Sequence, residues 1–104
     1  MVVTFELNGR KFMGLNGGPK YKFTEAVSLV VECDTQEEID HYWNRLLDGG
    51  EESRCGWLKD RFGGSWQIIP KKLGEWMSDP ERAKRVGPVL LKMVKLEIAA
   101  LEKA

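Results

Sequence analysis

The sequence has one histidine, two cysteines and no excess of either charge, with 16 Lys plus Arg set against 16 Asp plus Glu in 104 residues. A balanced surface offers no field to gather nucleic acid or an anionic membrane, so neither is an expected partner. Cys33 and Cys55 lie in apolar runs without Cys-x-x-Cys spacing. That argues against a zinc knuckle or a redox pair, and both are expected as reduced core thiols. No apolar run approaches the ~18 residues of a membrane helix, and the N-terminus lacks the basic and apolar regions of a signal peptide. A cytoplasmic location is the expectation. A Gly-x-Ser-x-Gly elbow and a Cys–His pairing are also missing, which leaves no visible nucleophile and base.

What is present is enough pattern for one domain, residues 1–104, burying about two-thirds of its unfolded surface. Val2 to Leu7 is β-branched and aromatic, and Asn8-Gly9 is a strong hairpin signal, so a second strand over Lys11 to Asn16 should return from it. Gly17-Gly18-Pro19 ends that strand, and Lys20 to Glu25 forms a polar connector. From Ala26 the chain is apolar again. Leu29, Val31 and Cys33 fall on one face of a strand, and Ser28, Val30 and Glu32 on the other. Thr35 and Glu38 have capping-box spacing, and Ile39, Trp43, Leu46 and Leu47 form one helical stripe that Gly49-Gly50 stops.

From about Ser53 to Ile69 the sequence reads as two strands folded over Gly63-Gly64, with Pro70 closing the hairpin. Leu73, Trp76 and Met77 predict a short helix. Asp79-Pro80 starts a longer helix that should carry Val86, Leu90 and Met93 inward, and Gly87-Pro88 predicts a kink or break within it. Ile98 to Leu101 is a last apolar patch that reads as another helical turn. The sum is an α+β domain with helices on one face of a mixed sheet.

Three runs carry a resemblance. Phe12-Met13-Gly14-Leu15-Asn16-Gly17-Gly18-Pro19, Val30-Val31-Glu32-Cys33-Asp34-Thr35-Gln36-Glu37-Glu38, and Cys55-Gly56-Trp57-Leu58-Lys59-Asp60-Arg61-Phe62-Gly63 with Ser65-Trp66-Gln67-Ile68 resemble the PhnB-like proteins. These belong to the glyoxalase, bleomycin-resistance and dioxygenase group, the vicinal oxygen chelate superfamily. The resemblance implies a glyoxalase-like fold of βαβββ modules whose curved mixed sheets surround a cavity, commonly in homodimers. Residues 1–19 resemble a remnant of the first module, 26–70 the second module, and 71–104 add a helical tail. A partial first module leaves a sheet edge unpaired and a sheet face uncovered. A homodimer with strands exchanged between chains is therefore expected; a start inside a longer natural chain is the alternative.

In metal-dependent members of the superfamily, cavity-facing histidine and glutamate side chains hold a divalent ion. By the resemblance, two glutamate positions fall at Gly14 and Gln67 and the histidine position at Ser28. Glycine has no ligand atom, and a hydroxyl with a neutral amide makes a feeble divalent site, so no metal and no cofactor are expected. Glu32 is the acidic group of the predicted cavity face, readable as a general base or as a solvated strand-end carboxylate. His41 reads as a surface residue on the polar side of its helix.

The pocket candidates are Phe12, Asn16, Ser28, Glu32, Trp57, Ser65 and Gln67, a few neutral hydrogen-bonding groups among aromatics. The tryptophans could equally be core. Alternation prevents Trp66 and Gln67 from sharing a face, and Gln67 is taken as the inward residue. Some PhnB-like proteins carry a methyltransferase label, but no glycine-rich loop of a doubly wound sheet is present to support it. The leading expectation is a small-molecule-binding protein without the superfamily metal. The alternatives are a metal-dependent lyase or dioxygenase with its site assembled across a dimer, and a truncated, non-catalytic assembly module.

Overall fold

The structure, a computed structural model, describes residues Met1–Ala104. Two sheets form. β1 (Val2–Leu7) and β2 (Arg10–Leu15) make an antiparallel hairpin by themselves. Asn8 and Gly9 turn it with φ of 50° and 81°, as a two-residue hairpin loop requires. The second sheet contains β3 (Ser28–Cys33), β4 (Glu51–Glu52), β5 (Trp57–Lys59) and β6 (Ser65–Pro70) in the order β3-β6-β5-β4. β3 runs parallel to β6, and the other pairs are antiparallel. With α1 (Gln36–Leu47) between β3 and β4, residues 28–70 form one βαβββ module with a mixed sheet, preceded by a partial one. The expected α+β class is the one found.

α1 covers one sheet face. Ile39 and Trp43 pack there with Cys33, Leu58 and Ile68, and Val31, Leu46, Leu47 and Trp66 border the cluster. Burying each such aliphatic side chain contributes roughly 1.5–3 kcal/mol. Thr35 caps the helix by accepting the Glu38 N–H at 3.2 Å. The reciprocal half of the capping box is displaced by one residue. The Glu38 carboxylate accepts from the Asp34 N–H at 3.3 Å rather than from Thr35.

The tail forms α2 (Leu73–Ser78), α3 (Pro80–Leu91) and α4 (Ile98–Lys103). Trp76, Val86, Leu96 and Leu101 make a second core, and Ile98 packs against both cores. Asp79 caps α3 through the Glu81 N–H at 3.1 Å.

Several expectations need correction. The strand expected from Ser53 begins only at Trp57: residues 53–56 are the turn between the antiparallel β4 and β5, where Cys55 and Gly56 take left-handed φ of 58° and 85°. Cys55 is consequently half-buried, unlike the fully buried Cys33, and both thiols are free. No break occurs at Gly87-Pro88, since α3 runs through to Leu91. Pro88 forgoes one bond, the one its position would donate to the Lys84 carbonyl, and the helix ends three residues later. Met93 lies beyond that helix and reaches the tail core from the following segment.

Candidate functional site

Strand alternation and register fix what the face opposite α1 displays. On β6, Trp66 and Ile68 point to the α1 core, so Ser65 and Gln67 point the other way. Ser28 stands beside Ser65 and Val30 beside Gln67 across the parallel pair. Trp57 stands opposite Gln67 and Lys59 opposite Ser65 across the antiparallel pair. Ser28, Trp57, Lys59, Ser65 and Gln67 therefore share one surface. Ile69, at one end of this face, meets the tail core.

The polar groups of this face are specific in their partners. Gln67 Nε2 donates to Ser28 Oγ at 2.9 Å. Lys59 forms an ion pair with Glu25 from the connector, which holds the Glu25 carboxyl below its ordinary range and the Lys59 ammonium above its own. Ser65 is 5% exposed, and its hydroxyl has no hydrogen-bond partner. The turn beyond is built by Asp60. Its carboxylate accepts from the Phe62 and Gly64 N–H groups at 2.9 Å each and from Trp66 Nε1 at 2.8 Å. That last bond fixes the Trp66 ring on the α1 side and leaves Gln67 on the open one.

A separate cleft of about 1070 Å³ lies between the hairpin and the free edge of β3. Phe12, Ser28, Val30, Glu32 and Tyr42 are among its walls. Phe12 stacks on Phe5 with ring centroids 5.6 Å apart. The expected site residues thus divide. Ser28, Trp57, Ser65 and Gln67 gather on the sheet face, whereas Phe12 and Glu32 line the cleft with Ser28 at the junction. Asn16 is exposed just past β2, its N–H bonded to the Met1 carbonyl at 2.9 Å, and lies in neither group. His41 is exposed on α1, edge-on to Tyr42.

Lys59 was not among the sequence candidates. It lies two residues after Trp57 on one strand, so the same alternation that placed Trp57 on this face placed Lys59 there too.

The positions that the resemblance sets against superfamily metal ligands do not fit an ion. Gly14 sits on the hairpin without a donor atom, and Ser28 and Gln67 are bonded to each other. No group of three or more His, Cys, Asp and Glu side chains could hold a metal.

The family described as 3-demethylubiquinone-9 3-methyltransferase matches residues 1–69. The Bacillus cereus PhnB protein, described as a 3-demethylubiquinone-9 3-methyltransferase, is similar at 35% identity and a TM-score of 0.61, over 66% of this chain and 64% of its own. This chain therefore spans less than two-thirds of that protein's length. A Pseudomonas aeruginosa protein shares the fold at 19% identity and a TM-score of 0.55, over 67% of this chain and 62% of its own. No curated protein is similar enough to match.

Proposed function

The chain belongs to the PhnB-like family of the glyoxalase and vicinal oxygen chelate superfamily, and from that premise we propose that it binds a small organic molecule on the open sheet face, without the superfamily's metal. The observation that carries this reading is the convergence of Trp57, Ser28, Ser65 and Gln67 on one surface, an aromatic wall beside neutral hydrogen-bonding groups. The Ser28–Gln67 hydrogen bond engages a lone pair of Ser28 Oγ, and Gln67 offers an ion only its neutral amide oxygen. The methyl transfer in the family's description has no support in this geometry, because a single parallel strand pair offers no glycine-rich turn onto a nucleotide-binding helix.

A thermal-shift screen of aromatic and short-chain organic acids, amides and quinones tests the reading. A ligand should raise the melting temperature of the wild type and fail to do so for Trp57→Ala/Gln67→Leu. A shift that survives the double substitution would move the site elsewhere. Stoichiometric nickel, zinc, iron or manganese after purification in divalent-supplemented buffer would instead favour the metal-dependent lyase or dioxygenase reading.

The second part of the proposal is a homodimer in which each chain covers the other's hairpin and the free edge of β3. A two-stranded hairpin alone is marginal in water. Here Val2, Val3, Met13 and Leu15 are 53%, 54%, 71% and 74% exposed, and Val30 beside the free edge is 52% exposed. An apolar ribbon and an unpaired edge are complementary needs that a second copy satisfies at once. Light scattering at micromolar concentration should give twice the chain mass; a well-folded monomer there would sink the idea.

A further inference from the structure

The connector between β2 and β3 is exposed throughout residues 16–27, and its side-chain tie to the second sheet is the Glu25–Lys59 ion pair. Lys59 is the one cation on the open face, opposite Ser65 on β6 and Glu51 on β4. Trp57 precedes it by one strand repeat on the same side, about 7 Å away. The Ser65 hydroxyl beside it is buried without a partner, and such a group costs free energy until an acceptor arrives. Glu25 therefore takes the cation and leaves the hydroxyl donor beside it unused.

We propose that Lys59 is the carboxylate receptor of the open face, that its ligand is an aromatic carboxylic acid packed against Trp57, and that Glu25 is a tethered stand-in the ligand displaces. This deepens the small-molecule reading above and rests on it. The ligand's carboxylate takes the ammonium from Glu25 and accepts from Ser65 Oγ. Its ring lies along Trp57, where the Gln67 amide edges the site. Displacing Glu25 frees the connector, so binding and loosening of residues 16–27 are one event. Because the resident pair is solvent-exposed, the competition it offers is modest, about two- to fivefold in affinity.

Benzoate and its neutral isostere benzamide, titrated into the ¹⁵N-labelled protein, provide the test. Benzoate should shift the amide signals of Lys59, Ser65 and the Glu25 connector. Glu25→Gln should tighten benzoate about threefold and leave benzamide unchanged, whereas Lys59→Met should reduce benzoate to the level of benzamide. Ser65→Ala should weaken benzoate by a similar factor. If benzamide shifts the Trp57 strand as strongly as benzoate in every variant, the receptor role of Lys59 is overturned while the binding face stands. If neither compound shifts that strand, both the receptor and the binding face are overturned.

Discussion

Gln67 Nε2 and Ser28 Oγ, 39 residues apart in sequence, are joined by a hydrogen bond of 2.9 Å. The bond spans the parallel β3–β6 pair and stands on the sheet face that α1 leaves open. It is a neutral polar contact that stitches the edge strand β3 to the sheet.

The stitching is measurable by a double-mutant cycle. Ser28→Ala and Gln67→Leu should each lower stability, and their coupling energy should be about 0.5–1.5 kcal/mol, the net worth of one partly buried hydrogen bond. Chemical denaturation of the four proteins gives the value. A coupling indistinguishable from zero would mean that the amide and hydroxyl are solvated independently.

Asp60 organises the turn between β5 and β6 through three hydrogen bonds. Asp60→Ala should cost about 2 kcal/mol or more, because two backbone N–H groups and the Trp66 indole lose a charged acceptor together. Asp60→Asn keeps one carbonyl acceptor and should lose less. Denaturant midpoints, with Trp66 fluorescence followed in a background lacking the other tryptophans, rank the two.

The tail is fastened to the module by Gln36. Its Oε1 accepts from the Ile98 N–H at 2.8 Å, and its Nε2 donates to the Leu96 carbonyl at 3.0 Å and to Asp40 Oδ1 at 3.1 Å. Lys95 adds an ion pair to Asp40 at 2.8 Å. Gln36→Leu should release residues 92–104 before the sheet unfolds, since the backbone groups it satisfies have no substitute. Limited proteolysis should then cut first near Lys92 or Lys95, a cleavage the wild type resists.

The two thiols should react in a fixed order. Burial, then the nearby Glu38 and Asp34 carboxylates, pushes the Cys33 thiol up to about 11 from an ordinary value of 9.0. Iodoacetamide at pH 8 should label half-buried Cys55 in the native protein and Cys33 only on unfolding. The same shift sets a pH dependence. Above about pH 9 the unfolded chain gives up the Cys33 proton while the folded chain keeps it, so stability falls from there through about pH 11. A Cys33→Ala variant should lose that slope.

The legible part of this fold was its local part. The Asn8-Gly9 turn, the Thr35 cap, the Ile39 and Trp43 stripe and the alternation that turns Gln67 away from Trp66 are each set by residues within a few positions of one another. The resemblance added the module order and the Gly14, Ser28 and Gln67 positions. Less visible were the features that depend on distant partners. Cys55 is read as a core residue by composition, but its N–H bonds to the Met93 carbonyl at 2.9 Å and holds the backbone left-handed, a contact no local pattern announces. The short strand Glu51–Glu52 has no propensity of its own and exists because β5 offers it an edge.

The candidate site divides in the same way. Residue types and the period of two placed Ser28, Trp57, Ser65 and Gln67 on one side of their own strands. Only tertiary structure could lay Ser28 beside Ser65, bring Gln67 within a hydrogen bond of Ser28, and swing Glu25 onto Lys59. The reason is physical: which residues share a strand face follows from backbone geometry within one strand. Which strands meet, and in what register, follows from burying the α1 stripe against Leu58 and Ile68, a long-range term that no single segment contains.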